Sequence, residues 1–361
     1  MNAILSSTGA PNCAASQLRG LNLNNGWQVG SCLQRGPEST GGFFSRSYVV
    51  THSDGRRGFL KALDFSEAFG PGVETISVLA QLTASFEHER AILQICATKR
   101  LSNVVLAIDH GQVQVPGFGK MDGLVFYLIF DLANGDIRSQ VSVIERLSAL
   151  WSLRALRDVC VGLWQVHQQL IAHQDMKPSN VLVYGESRFH IADFGRSSLQ
   201  GRPVSHDRFT VAGDRIYSPP ELLYGHTHPD FTARRFGCDL YMLGNLASFM
   251  FTGGNATASL LTRLNSQFRP TAWKGSYCEV LPYLHDAFGQ FLHEIEMNID
   301  PIVRAIVVPL IRQLCNPDLM KRGHPKALGR HDQHSLERYV SSLDLDCKRV
   351  AITLRTTEKS V

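Results

Sequence analysis

The sequence predicts an α+β protein with two unequal parts, a smaller strand-rich part followed by a larger helical one. Two observations carry this. Residues 27–130 alternate short β-type runs with a single long helical stripe, and after Asn134-Gly135-Asp136 the pattern changes to long amphipathic helices. With 361 residues the chain is long enough for about two domains or one large two-part unit, at roughly 150 residues per domain. Hydrophobic residues make up 44% and charged residues 19%, a balance that argues against disorder.

The elements follow in order. Met1 to Asn25 is rich in Ser, Asn and Ala, with Arg19 its one cation, so residues 1–26 are expected to form a flexible N-terminal tail rather than a secretion signal. Strands are expected at Ser47–Val50 and Arg57–Phe65, and the continuous apolar run Leu124–Leu132 suits a buried strand. Between them, Ile76–Thr98 has helical spacing. Leu82, Phe86, Leu93 and Cys96 fall on one stripe, with Glu87, Arg90 and Gln94 on the other side. Helices are then expected at Val143–Leu170, Asp239–Phe251 and Ile302–Leu314. Leu240–Thr262 is 23 residues without a charge, enough to span a bilayer. Gly253, Gly254, Asn245 and Asn255 interrupt it, which favours a core helix followed by a loop. The expected division is a tail at 1–26, a first lobe at 27–131, a second lobe with an extended helical end at 132–345, and a C-terminal tail at 346–361.

Charge and cysteine content narrow the class of function. Thirty-six Lys and Arg against 32 Asp and Glu leave +4, too weak a bias to argue for a nucleic acid or anionic-membrane partner. The eight cysteines are scattered, the closest pair (Cys13 and Cys32) being 19 positions apart. They form no metal-binding spacing and are expected to be reduced, buried thiols in a cytoplasmic protein. His226 with His228, and His331 with His334, lack a third ligand in a recognised spacing.

The chemistry concentrates in His173-Gln-Asp175-Met-Lys177-Pro-Ser-Asn180, followed 13 residues after Asn180 by Asp193-Phe194-Gly195. Val181–Tyr184 and Phe189–Ala192 between the clusters predict a hairpin turning at Gly185-Glu-Ser, which brings Asn180 and Asp193 together at its open end. An amide oxygen beside a carboxylate is an oxygen-rich pocket suited to Mg²⁺ carrying phosphates. Asp175 is then a carboxylate able to accept a hydroxyl proton, and Lys177 a cation able to neutralise a transferred phosphoryl group. In the strand, Phe59, Lys61 and Leu63 share a face, and a lysine with apolar neighbours needs an anionic partner. Glu89 lies in the apolar stripe of the helix and is expected to point inward, so a Lys61–Glu89 pair is expected, with Lys61 then able to hold nucleotide phosphates.

These residues resemble the eukaryotic-type serine/threonine protein kinase family, over roughly Trp27 to Leu328. The resemblance implies a bilobal protein-kinase-like fold, with a small strand-rich N-lobe carrying one long helix and a larger helical C-lobe. It implies Asp175 as catalytic base, Lys177 as its catalytic companion, and Asn180 and Asp193 as Mg²⁺ ligands. Lys61 and Glu89 match the family's strand lysine and helix glutamate. Lys two positions after the base is similar to the serine/threonine branch. By alignment with the family hinge, the backbones of Phe130 and Leu132 would bond adenine, Ile129 would guard the back of the pocket, and Asp136 could reach the ribose. Gly213 to Glu221 resembles the end of the activation loop, Asp239 the aspartate that anchors the catalytic loop, and Arg322 the arginine that pairs with Glu221.

Four positions depart from the family pattern. Gly36 to Gly42 carries glycines, Gly41 and Gly42 among them, without the GxGxxG spacing, and suits a flexible hairpin over the phosphates. Phe59 replaces a small Ala facing adenine. Asp214 replaces a Thr and is placed to repel Asp175 or capture Lys177. Gln174 replaces an Arg beside the base, so no buried cation is expected to wait for a phosphate. Ser197, Ser198, Ser205 and Thr210 are the hydroxyls of that loop, and activity without loop phosphorylation is expected. The resulting reading is a kinase transferring the γ-phosphoryl of Mg-ATP to a protein hydroxyl. A pseudokinase scaffold and an aminoglycoside-type small-molecule kinase are the alternatives.

Overall fold

The computed structural model describes residues 13–33, 45–70, 72–143 and 148–358. The chain divides into two compact units, residues 1–97 with 105–132, and residues 98–104 with 133–361. The boundary at 132 lies one residue from the expected one. The short return segment 98–104 belongs to the second unit, which a linear division of the sequence cannot express.

The first unit is a five-stranded antiparallel sheet with one long helix. Its strands are β1 (Trp27–Cys32), β2 (Ser45–His52) and β3 (Arg57–Leu63). Helix α1 (Thr75–Thr98) follows, then β4 (Ala107–Gln114) and β5 (Leu124–Asp131), in the sheet order β1-β2-β3-β5-β4. Period two sorts each strand between two faces. Tyr48, Val50, Leu60, Ala62, Val125, Tyr127 and Ile129 share one buried cluster with Cys13, Ala14, Ala15 and Leu18. Residues 13–26 are therefore part of the core and not a tail, which corrects that expectation. Small side chains let this segment lie close to the sheet, and the Tyr48 hydroxyl donates to Ala15 O at 2.7 Å. The opposite face carries Phe59, Lys61, Phe126 and Phe130, and α1 packs on it through Phe86 against Phe126, ring centroids 5.8 Å apart.

The second unit begins with β6 (Gly135–Asp136), α2 (Ile137–Val143) and α3 (Ala149–His167). The single helix expected over Val143–Leu170 is thus shorter, starting at Ala149 and ending before Leu170, which adopts a positive φ of 58°. The site-bearing strands β7 (Ile171–Ala172), β8 (Val181–Tyr184), β9 (Arg188–Ile191) and β10 (Ser198–Leu199) come next. The helical remainder is α4 (Pro220–Leu223), α5 (Gly237–Thr252), α6 (Ala256–Arg263), α7 (Tyr277–Asn298), α8 (Pro301–Leu314) and α9 (Glu337–Glu358).

The uncharged stretch resolves into α5, the loop at Gly253–Gly254, and α6. Among the described residues no helix is long and apolar enough to cross a membrane. Residues 346–358, expected as a tail, continue α9. That helix packs along α3, burying Leu343, Cys347 and Val350. Each fully buried aliphatic side chain of that kind contributes about 1.5–3 kcal/mol, which is why this end is helix. All eight cysteines are free, six buried as expected, while Cys32 and Cys278 are exposed.

Candidate active site

In the first unit, β3 delivers Lys61 and α1 delivers Glu89. Lys61 Nζ lies 2.8 Å from Glu89 Oε1 and 3.0 Å from Oε2. Glu89 is buried, as its place in the apolar stripe predicts, and the pair satisfies both charges. Leu128 lies directly across the sheet from Lys61, and Phe130 across from Phe59, with ring centroids 6.4 Å apart. Phe59 therefore adds an aromatic wall beside Phe130. Gly41 and Gly42 lie outside the described residues.

In the second unit the loop after β7 is held from below by α5. Asp239, fully buried, accepts the backbone N–H of His173 at 2.8 Å and of Gln174 at 2.7 Å, and His167 Nε2 donates to it at 2.8 Å. A carboxylate taking three donors holds a loop whose residue Gln174 sits at a φ of 60°. That conformation costs a non-glycine residue about 1–2 kcal/mol. Asp239 thus occupies the anchoring position expected of it. His173 completes the floor, its Nε2 donating to Ala192 O at 3.0 Å and its ring lying 4.9 Å from Phe194.

The hairpin β8–β9 forms as expected, and Ala192 N–H donates to Asn180 O at 2.9 Å across its open end. Asn180 Nδ2 donates to Asp175 O at 2.7 Å and to Asp175 Oδ2 at 3.1 Å. Asp193 follows in a left-handed conformation, φ 65°. Lys177 Nζ lies 3.2 Å from Asp175 Oδ2 and 3.6 Å from Asp214 Oδ2. Asp214 donates its backbone N–H to Asp175 Oδ1 at 2.7 Å. Asp175, Lys177, Asn180 and Asp214 thus form one cluster. Burial pushes the Asp175 carboxyl above its ordinary range; Lys177 opposes this, and the nearby Asp193 charge adds to it.

Gly213, read from the sequence as the start of the segment that ends at Glu221, has a steric role that the sequence does not show. A Cβ there would lie 2.6 Å from Asp175 Oδ1 and 2.9 Å from Asp175 Cα, and closer still to the carbonyl oxygen of Gln174. Only a glycine lets the two loops approach this closely. Asp136, assigned to a ribose, accepts the Ser139 N–H at 2.8 Å and so caps the start of α2. The His226 ring stacks on Tyr277 at 5.3 Å.

Behind the site, Arg322 is fully buried and meets Glu221 in a two-bond fork, Nη1 to Oε1 at 2.6 Å and Nη2 to Oε2 at 2.8 Å. It also donates to Gly237 O at 3.0 Å. The expected Glu221–Arg322 pair is present.

The surroundings of Gln174 correct the sequence reading. A buried cation does stand beside it: Arg235, only 5% exposed, donates through Nη1 to Gln174 Oε1. It comes from the turn leading into α5, where Arg234-Arg235 has the look of an ordinary surface pair. Of the four loop hydroxyls, Ser197 and Ser198 are buried, leaving Ser205 and Thr210 nearer solvent.

The family described as the protein kinase domain matches residues 86–331, more than half of the chain, and the chain belongs to that family. The chain is 29% identical over 133 residues to Aurora/IPL1-related protein kinase 2 of Caenorhabditis elegans, covering 37% of this chain and 41% of that protein. It is 28% identical over 200 residues to human Cyclin-dependent kinase 9, covering 52% of this chain and 51% of that protein. The matches thus span about half or less of the length of these relatives.

Proposed function

We propose that this protein kinase transfers the γ-phosphoryl group of ATP to a serine or threonine hydroxyl of a protein. One observation carries the reading. Asp175 is a buried carboxylate with one oxygen fixed by the Asp214 N–H and the other by Asn180 Nδ2, and Lys177 Nζ lies 3.2 Å away. A fixed carboxylate with a raised pKa suits a general base for a hydroxyl, and the adjacent cation suits the phosphoryl group. Lys177 is closer to Asp175 than to Asp214, which favours an active enzyme over an inert scaffold.

The donor set of the second unit fits Mg²⁺. Asn180 uses Nδ2 for both bonds to Asp175, which leaves its amide oxygen, with the Asp193 carboxylate, as hard ligands. Bound with the nucleotide, Mg²⁺ would supply neutralisation of phosphate charge. Asp175 would take the hydroxyl proton at its carboxylate, with Lys177 Nζ 3.2 Å from it. In the first unit, the Lys61–Glu89 pair is the feature that fits a phosphate, and the backbones of Phe130 and Leu132 are assigned to adenine.

The test is incubation with labelled Mg-ATP and a mixed protein substrate, wild type beside Asp175→Ala. Label on serine or threonine with the wild type alone is the expected result. Label on tyrosine, no label on protein, or equal labelling by both proteins would overturn the reading.

A further inference from the structure

The segment between Asp193 and Glu221 is tied to the Asp175 loop by a closed ring of four side chains. Gln174 Nε2 donates to Ser198 Oγ at 2.6 Å, and that hydroxyl donates to Asp207 Oδ1. Arg235 Nη2 donates to the same Asp207 oxygen at 2.7 Å, and Arg235 Nη1 donates back to Gln174 Oε1. Around the ring, Asp207 Oδ2 accepts the Val204 N–H at 3.0 Å, and Gln174 Nε2 also donates to Arg196 O at 3.1 Å. His206 Nε2 donates to Ser197 O at 2.8 Å.

Each member has the chemistry its place requires. An amide both donates and accepts, so Gln174 links the serine and the guanidinium at once. An arginine at position 174 has donors only and would set two cations side by side. Asp207 is an anion supplied by the segment itself, and it pairs with the buried Arg235 guanidinium at 2.7 Å. The ring closes on Gln174, the residue immediately before Asp175.

We infer that Asp207 and Arg235 are positioning residues, forming a permanent charge clamp that fixes this segment and, through Gln174, the Asp175 carboxylate, with no phosphate needed on the segment. The inference rests on the reading of Asp175 as the catalytic base. It goes beyond that reading by assigning to an internal carboxylate the anionic part that a loop phosphate would otherwise play.

The test uses the full chain and two readouts. Trypsin cleavage after Arg196 and Arg215, both exposed, reports the order of the segment, and steady-state kinetics report kcat and the KM for ATP separately. Asp207→Asn is expected to speed cleavage at least tenfold and lower kcat at least tenfold, with KM for ATP within threefold. Asp207→Glu is expected to restore part of both. Ser198→Ala, which deletes only a hydroxyl, is expected to shift both readouts in the same direction and serves if the charge variants fail to fold. Ser205→Ala with Thr210→Ala, after phosphatase treatment, is expected to keep kcat within threefold of wild type. Wild-type cutting and kcat in Asp207→Asn, or a tenfold loss in the Ser205/Thr210 variant, would overturn the clamp. A wild-type chain that transfers no phosphate would instead overturn the reading of Asp175, while the trypsin comparison would still decide whether Asp207 anchors the segment.

Discussion

Asp214 holds Asp175 with its backbone and not with its side chain: its N–H donates to Asp175 Oδ1 at 2.7 Å, while its carboxylate stands 3.6 Å from Lys177. The carboxylate oxygen Oδ1 is occupied by the Ile216 N–H at 3.0 Å, so the side chain serves its own turn. The positioning of Asp175 therefore depends on where the backbone of residues 213 and 214 runs.

Substitution at these two neighbours should separate the effects. Asp214→Asn keeps the backbone donor and the Ile216 bond, and kcat is expected to stay within about threefold of wild type, since a surviving interaction costs no transition-state stabilisation. Gly213→Ala forces the backbones apart and is expected to lower kcat by about 10²-fold, a loss typical of misplacing a catalytic group by about 1 Å. Steady-state kinetics on both variants decide this, and an inverted order would contradict it.

Asp175 itself should show its burial in a pH profile. Its carboxyl is pushed up in the folded state by burial, so ionising it costs stability. That cost grows as pH rises through the ordinary carboxylate range and is complete above the folded-state pKa. A base must be ionised, so the acid limb of kcat/KM is expected above the ordinary aspartate value of about 3.9. Asp175→Asn is expected to lower kcat at least about 10²-fold. An acid limb at or below the ordinary value would argue against the assignment.

Lys61 and Glu89 should behave as a unit. Lys61→Met and Glu89→Gln are each expected to lower kcat/KM, and the double variant to be little worse than either. A coupling energy of about 0.5–3 kcal/mol is expected from the cycle. Independent, additive losses would mean that the 2.8 Å contact plays no part in turnover.

Arg322 is expected to matter for stability. Arg322→Met leaves Glu221 buried without its partner, a change that costs about 3–5 kcal/mol. Urea unfolding should show the loss, and adding Glu221→Gln should recover part of it. A variant as stable as wild type would contradict the role given to the fork.

His334 should make the fold acid-sensitive. Burial, with the Arg322 charge adding to it, pushes its imidazole down from 6.5 to about 4. The unfolded chain takes up that proton first, so stability is full above about pH 6.5 and is lost as pH falls toward about 4. Between pH 7.5 and pH 5 the cost is about 2 kcal/mol at 1.36 kcal/mol per unit. Urea unfolding at both values is expected to show His334→Gln losing about that much less than wild type.

Short-range order was legible because its chemistry is local. The 13 positions from Asn180 to Asp193 hold one hairpin, and a hairpin's length fixes where its open end falls. Glu89 announced its inward direction through the spacing of Phe86 and Leu93 on α1. Strands β1 and β4 were harder. In β4, half-buried and exposed residues alternate through Asp109, His110, Gly111 and Gln112, because an edge strand of this sheet buries little.

Sequence alone determined the identity and spacing of Asp175, Lys177, Asn180 and Asp193, and the faces of their elements on which Lys61 and Glu89 lie, since each follows from one element's period or one turn's length. Tertiary structure decided what surrounds them. The polar-looking segment 13–26 became core because Leu18 and the small residues Cys13, Ala14 and Ala15 meet a sheet face built from four distant strands. Arg235 became the cation beside Gln174 because the turn into α5 delivers it 61 positions away along the chain. Burial and charge pairing are properties of space, and a guanidinium reads as a solvated surface group until the fold removes its water and supplies Asp207.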